Sequence, residues 1–447
     1  MQLLTLVIIL AATLSGYLAD MHIAPSGFRF LPEALAVLAL AVVLVVGPRQ
    51  RFKLVGARYW ILFAATAAIV VAGVVINAVA PGTFIGGARY YLRAIPMFLV
   101  PAVMDLTETQ LRTQLRLLLG IALLQLPISL YQRHQVTELE RWSGDPVVGT
   151  LGISSILSIF MIAGICIAAA MALRGRLSKL SFIALFVLFI IPTTINETKS
   201  TVLLLPLGLL TTLMLGSQRG RRTRNVAWAL GLLVLFGALY VPVYDYYATL
   251  NNPYPYTVES FFSDSKTVEG YVDQGTDLGS RREAGRWDSL EVPLRTFSSD
   301  PVRLMFGVGI GNASVSALGS RYTGEYNVLL GRYTAVSSGG AFLVEIGVLG
   351  LAMVMLAYWL SLRDAIFVAL RDSTLVGALA LGWAGVTVVL AIATYYKTLH
   401  AFESLSFLFW YLLGVIAAQR MRLTERKAPA TASAATAPLR TTLRSTR

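Results

Sequence analysis

Of 447 residues, 37 are Lys or Arg and 24 are Asp or Glu, so 14% are charged while 56% are hydrophobic. An ordinary soluble domain carries about 25% charged residues, and this balance excludes a soluble enzyme, a disulfide scaffold and a disordered chain. The net charge of +13 follows membrane topology rather than nucleic-acid binding: seven basic residues and one acidic residue fall from Arg420 onward, and most others sit in short connections between apolar stretches. Cys166, the one cysteine, lies in an apolar stretch and has no internal disulfide partner.

In chain order, the hydropathy pattern predicts an all-α polytopic membrane protein with about twelve transmembrane helices. They fall near 3–19, 31–47, 60–80, 88–104, 112–131, 148–173, 180–195, 200–216, 226–243, 339–361, 373–396 and 401–418. The first stretch has no leading basic cluster and reads as a retained helix rather than a signal peptide. Every second connection is basic: Arg49, Arg51, Lys53 and Arg58; Arg112 and Arg116; Arg174, Arg176 and Lys179; Arg219, Arg221, Arg222 and Arg224; Arg363 and Arg371; then the tail. The positive-inside bias therefore places both termini in the cytoplasm. Helices 1–9 occupy 1–244, an extracytoplasmic loop domain 245–337, helices 10–12 338–419, and a basic cytoplasmic tail of Ala, Thr, Pro and Arg, expected to be disordered, 420–447.

The large loop is 93 residues long and carries 11 acidic and 8 basic residues. It opens on an aromatic run from Tyr244 to Tyr256, in which Tyr254 and Tyr256 are suited to stacking on sugar faces. A charged helical pattern is expected from Ser280, placing Arg282 and Arg286 four residues apart on one face, with Arg281 beside them. Three more cations fall on the side that the positive-inside rule depletes: Arg89 and Arg93 at the outer end of the fourth span, and Lys199 at the start of the eighth. Snorkelling explains each one singly. Together they suit a pyrophosphate, because guanidinium groups grip phosphate oxygens in pairs and keep their charge when dehydrated. The run Phe306-Gly307-Val308-Gly309-Ile310-Gly311-Asn312 lacks a strand-to-helix setting, so its glycines read as close packing against the membrane domain rather than a nucleotide site. Glu345, an intramembrane acid, is either functional or the partner of an arginine.

Twelve spans, one large outer loop before the last three, the Arg286-Trp287 segment, the Phe306–Asn312 turn and the Glu345-Ile346-Gly347-Val348-Leu349-Gly350 approach to the tenth span resemble the bacterial O-antigen ligase and O-antigen polymerase superfamily. The resemblance implies transfer of a glycan from undecaprenyl pyrophosphate to an acceptor outside the plasma membrane, with no metal and no cofactor. It implies that Lys199 stands where relatives carry an arginine, and that Arg282 or Arg286 matches their large-loop arginine. The ligases carry a histidine about nine residues before the Glu-x-Gly; here that stretch reads Ala335-Val336-Ser337-Ser338. The departure moves weight from ligase to polymerase.

The expected chemistry is inverting glycosyl transfer that polymerises undecaprenyl-pyrophosphate-linked oligosaccharides into a surface polysaccharide such as O-antigen or exopolysaccharide. Arg286, Arg282, Lys199 and Glu345 are the candidate catalytic residues, and Arg89, Arg93, Arg281, Tyr254 and Tyr256 the candidate substrate contacts. Glu283, Asp288, Glu345 and His134 are candidate bases. The expected partners are the lipid-linked oligosaccharide, membrane lipid and other polysaccharide assembly proteins. Competing readings are a ligase, a lipid-linked sugar transporter or flippase, and a non-catalytic subunit of an envelope complex.

Overall fold

Uninterrupted Leu, Ala, Val and Ile favour helix because it satisfies every backbone polar group within the segment, which hydrocarbon requires. The computed structural model describes residues 1–139, 145–216, 222–250, 257–264, 277–278, 281–282 and 284–425. In chain order its helices are α1 (Gln2–Asp20), α2 (Leu31–Val46), α3 (Ala57–Ile76), α4 (Pro81–Leu92), α5 (Pro96–Val103), α6 (Glu108–Glu138), α7 (Ser154–Leu173), α8 (Lys179–Ile195), α9 (Thr201–Leu215), α10 (Arg222–Thr249) and α11 (Val258–Ser263). A two-residue hairpin, β1 (Asp277–Leu278) and β2 (Arg281–Arg282), precedes α12 (Asp288–Thr296), α13 (Pro301–Phe306), α14 (Asn327–Thr334), α15 (Ser338–Arg371), α16 (Leu375–Tyr396) and α17 (Glu403–Glu425). Among the described residues nine helices are long and apolar enough to cross a membrane, namely α1, α2 together with the 3-10 turn that leads into it (Ser26–Val46), α3, α6, α7, α10, α15, α16 and α17, while α8 and α9 are apolar but shorter.

The span expected over 88–104 is not one continuous helix. It is broken between α4 and α5, where Arg93, Ala94 and Ile95 form a turn and Pro96 opens the next helix. Proline has no N–H to give the preceding turn and its ring collides with it. The helical pattern expected from Ser280 is also overturned. Residues 281–282 are extended, with Asp277 opposite Arg282 in antiparallel register, and the helix starts only at Asp288. Arg282 and Arg286 therefore do not share a helical face. Ser280 itself lies outside the described residues, as do positions 251–256, Glu283 and the tail from 426.

α15 is interrupted at Gly347, whose φ of 68° and ψ of −173° are closed to side-chain-bearing residues. The break releases the carbonyls of Val344 and Glu345 from their usual partners one turn on. The loop supplies replacements: the Val308 N–H donates to Val344 at 2.9 Å and the Gly309 N–H to Glu345 at 3.0 Å. The Gly-x-Gly-x-Gly run is thus packing, as its sequence suggested. A Cβ on Gly307 would lie 2.5 Å from the Glu345 backbone, and one on Gly311 2.3 Å from the Thr83 carbonyl of α4. Phe297, Val308, Ala313, Leu330, Tyr333 and Val344 form a small apolar cluster that seats the described part of the loop on the start of α15.

α16 runs through the middle of the bundle, against α15, α7 and α9. At the end carrying the arginine-rich connections (the basic end), Asp364 of α15 is fully buried and accepts from Arg58 at 2.5 Å, from the Tyr59 hydroxyl at 2.9 Å and from Arg420. This charge cluster ties α3, α15 and α17 together. α6 gauges the bundle: Arg112 and Arg133 are 21 residues apart, about 30 Å at helical rise, close to the thickness of a hydrocarbon core.

Candidate active site

At the opposite, distal end, the connection Asn196-Glu197-Thr198-Lys199-Ser200 is held from beneath. The Asn196 amide donates to the Ser154 carbonyl and to Ser158 Oγ, both at 2.9 Å, while its oxygen accepts the Thr198 N–H at 3.1 Å. The Tyr240 hydroxyl of α10 donates to the Thr198 carbonyl at 2.9 Å. Glu197 adopts a left-handed φ of 56° and pairs at 2.6 Å with Arg133, whose guanidinium also donates to the Tyr247 carbonyl at 3.0 Å. These bonds fix where Lys199 emerges.

Lys199 Nζ lies 4.9 Å from the Phe261 ring centroid of α11. Burial lowers the pKa of its ammonium group, Asp145 and Glu197 draw it back up, and Arg286 lowers it further. Two cations singled out from distant parts of the sequence are therefore close enough to feel each other. Arg286 stacks its guanidinium 4.5 Å above the Tyr396 ring at the end of α16, and Lys397 Nζ lies 5.6 Å from the same ring. Serines hold this junction: Ser289 Oγ donates to the Arg286 carbonyl at 2.6 Å and lies 2.8 Å from Ser337 Oγ, and the Ser338 N–H donates to the Lys397 carbonyl at 3.0 Å. Lys199, Arg286 and Lys397 thus gather positive charge where the α8–α9 connection, the Arg-Trp turn and the end of α16 meet.

Arg89 and Arg93 belong to a separate network. Arg89 Nε donates to both oxygens of Glu33 at 2.6 and 2.7 Å; Arg93 reaches Glu33 at 2.8 Å, Glu403 at 2.5 Å and the Ala401 carbonyl at 2.7 Å. Two carboxylates balance two guanidiniums, and the Arg93 side chain is only 3% exposed. The network clasps α2, the α4–α5 break and the start of α17. Glu345 is likewise engaged. One oxygen accepts the Ala313 and Ser314 N–H groups at 3.1 and 2.7 Å, and the other accepts the Tyr91 hydroxyl at 2.7 Å. Its partners are loop amides and a tyrosine rather than the arginine that the sequence suggested.

Ser338 of this junction also lines an apolar cavity of about 510 Å³ between α3, the α4–α5 break, α15 and α17, with Tyr90, Tyr91 and His400 among its other polar lining groups. His400 Nδ1 is 2.9 Å from Ser338 Oγ. Burial, with Arg93 adding to it, lowers the His400 pKa to about 3, so the ring is neutral and is a poor base.

Of the remaining candidates, Arg281 and Arg282 are placed only by the β2 backbone. Tyr254, Tyr256 and Glu283 lie outside the described residues. His134 is 70% exposed near the end of α6, 3.9 Å from Glu138. Asp288 opens α12 one residue after Trp287. Sequence reasoning missed Tyr396, Lys397, His400 and the role of Arg133. Lys397 carried the same signal as Lys199, a cation at the end of a span away from the basic connections. No protein-family model matches the chain, and no curated protein sequence matches it.

Proposed function

We propose that the chain is a membrane-integral glycosyltransferase that polymerises undecaprenyl-pyrophosphate-linked oligosaccharides into a surface polysaccharide at the outer face of a bacterial plasma membrane. In this reading the chain crosses twelve times, with α4–α5 as one broken crossing and α8 and α9 as short ones, and both termini are cytoplasmic. The observation that carries it is the grouping of Lys199, Arg286 and Lys397, together with a 510 Å³ apolar cavity lined by Ser338, whose N–H donates to the Lys397 carbonyl. A lipid pyrophosphate has the matching form, an anionic head on a long hydrocarbon tail.

The acceptor hydroxyl oxygen bonds to the anomeric carbon, and the bond from that carbon to the phosphate oxygen breaks, its electron pair leaving on the pyrophosphate. The proton passes to a carboxylate. Asp145, exposed and within electrostatic reach of Lys199, is the acid we assign to this step. Fixed cations beside the leaving group stabilise the charge that grows there, and losing one costs about 10²–10³ in rate. Lys199, whose pKa burial lowers and Asp145 and Glu197 draw back up, offers a point charge, while Arg286 offers a planar fork.

A second reading, a lipid-linked sugar transporter, is favoured by the two broken helices, since discontinuous helices line many transport sites. The Gly347 break, however, has its freed carbonyls filled by loop amides, which leaves them unavailable to a passing substrate. Purified protein in vesicles loaded with lipid-linked repeat units separates the readings. Glycan chains that lengthen support the polymerase. Single repeat units that cross the bilayer without lengthening support the transporter, and transfer of one glycan to a lipid acceptor supports the ligase.

A further inference from the structure

A second cavity of about 580 Å³ lies between α6, α7, α8, α16 and α17, separated from the first by Leu390 and Leu405, which line both. Its shaft is apolar, and Ala163, Gly164 and Ala168 of α7 hollow one wall. A Cβ on Gly164 would meet the Phe189 ring at 3.0 Å, so the glycine keeps the shaft open beside that ring. Its mouth is different: Arg112, Arg116 and Arg176 line it at the basic end. Glu108 takes Arg112 at 3.3 Å and Arg176 at 3.2 Å, so one carboxylate faces three guanidiniums. Arg116 makes no ion pair among the described residues.

We propose that this cavity is a binding site for an anionic glycerophospholipid of the leaflet at the basic end. Its phosphate would sit among Arg112, Arg116 and Arg176 and one acyl chain would fill the shaft. Charge complementarity selects the occupant. Three guanidiniums against one carboxylate leave a net charge of about +2, which suits a headgroup carrying a full negative charge and not a zwitterion, and basic pockets between helices on the cytoplasmic side bind such headgroups. The apolar shaft requires the anion to be carried on a hydrocarbon chain. The site lies a membrane thickness from Lys199 and Arg286, and the inference is independent of what happens there.

Native mass spectrometry of the full-length protein tests it, with phosphatidylglycerol, phosphatidylcholine, undecaprenyl phosphate and inorganic phosphate offered in turn. The wild type is expected to retain one phosphatidylglycerol at a concentration at least about tenfold lower than phosphatidylcholine requires. The double variant Arg112→Gln/Arg116→Gln should lose that preference. Gly164→Leu, or Leu119→Trp if Gly164→Leu does not fold, should weaken retention of both lipids by blocking the shaft. Equal retention of the two lipids by the wild type overturns the proposal, as does a preference that survives the double variant. Displacement of phosphatidylglycerol by millimolar inorganic phosphate would show a free-anion site instead, and tighter binding of undecaprenyl phosphate would show a site for that lipid.

Discussion

Lys199 and Arg286 stand 87 positions apart in the chain, yet each cation lies in the electrostatic field of the other at the distal end of the helix bundle. Like charges are not brought together without compensation. Asp145 and Glu197 act on Lys199, and the Tyr396 ring lies under Arg286. In the proposed reaction this junction receives the pyrophosphate of the lipid-linked donor.

Arg286→Ala is expected to lower polymer formation by about 10²–10³ while the protein still accumulates in the membrane and lipid-linked single repeats build up. Arg286→Lys should restore only part of the activity, because a point charge lacks the planar fork and its stacking on Tyr396. Gel analysis of polymer and of lipid-linked intermediates in the same cells checks both. Wild-type polymer length and yield in Arg286→Ala would remove this residue from the site.

Cysteines introduced at Gly220 and Gly270 report orientation. The native Cys166 is buried and is first replaced by serine, so that each introduced thiol is the only one in the chain. An impermeant thiol reagent should label Gly270→Cys in intact cells and reach Gly220→Cys only after the membrane is opened. The reverse pattern would invert the topology and move the cation junction to the cytoplasmic face.

Glu345 is expected to be an anchor and not a proton carrier. Glu345→Ala strips the Ala313 and Ser314 amides of their acceptor, at about 1–3 kcal/mol for each group left unsatisfied. Glu345→Gln keeps an acceptor oxygen for the amides and an amide group that can face Tyr91. Near-normal polymer in the glutamine variant, with loss of thermal stability in the alanine variant, fits the anchor. Loss of polymer in both at unchanged stability would make Glu345 catalytic. Gly347→Ala should destabilise by about 1–3 kcal/mol from backbone conformation alone, with more from a Cβ placed 2.3 Å from the Met305 carbonyl.

His400 gives a pH signature. Its folded pKa of about 3 lies below the ordinary 6.5, so below pH 6.5 the unfolded chain binds a proton that the folded chain refuses. Its contribution is fully present above pH 6.5 and is lost as the pH falls towards 3. Burial and the nearby Arg93 oppose an imidazolium there, with the Tyr91 and Phe342 rings and Ser338 completing its surroundings. His400→Gln should flatten the dependence of melting temperature on pH over that window, and an unchanged slope would show that other groups set it.

Most span positions were legible because hydrocarbon thickness dictates the length of an apolar run. The two breaks were harder for different reasons. Pro96 marked the first, although Arg93 and its neighbours read as a continuous span. The second depends on Met305 and Gly307, about 40 residues upstream of Gly347, pressing on its backbone, and an Ile-Gly-Val triplet inside an apolar run gives no local sign of that. Within the site, Lys199 and Arg286 stood out as cations on the depleted side. Arg89 and Arg93 stood out for the same reason, but their charge is balanced by Glu33 and Glu403, and Glu403 lies 310 positions beyond Arg93. Pairing across such separations is decided by packing, so charge position alone did not divide the balanced cations from the clustered ones.

The most direct measurement is the stoichiometry of the purified protein in vesicles supplied only with undecaprenyl-pyrophosphate-linked repeat units. Lengthening glycan and released undecaprenyl pyrophosphate should appear in equal amounts, with both lost in Arg286→Ala. Release of the lipid without chain growth, or no reaction by well-folded wild-type protein, would contradict the assignment of glycosyl transfer to this chain.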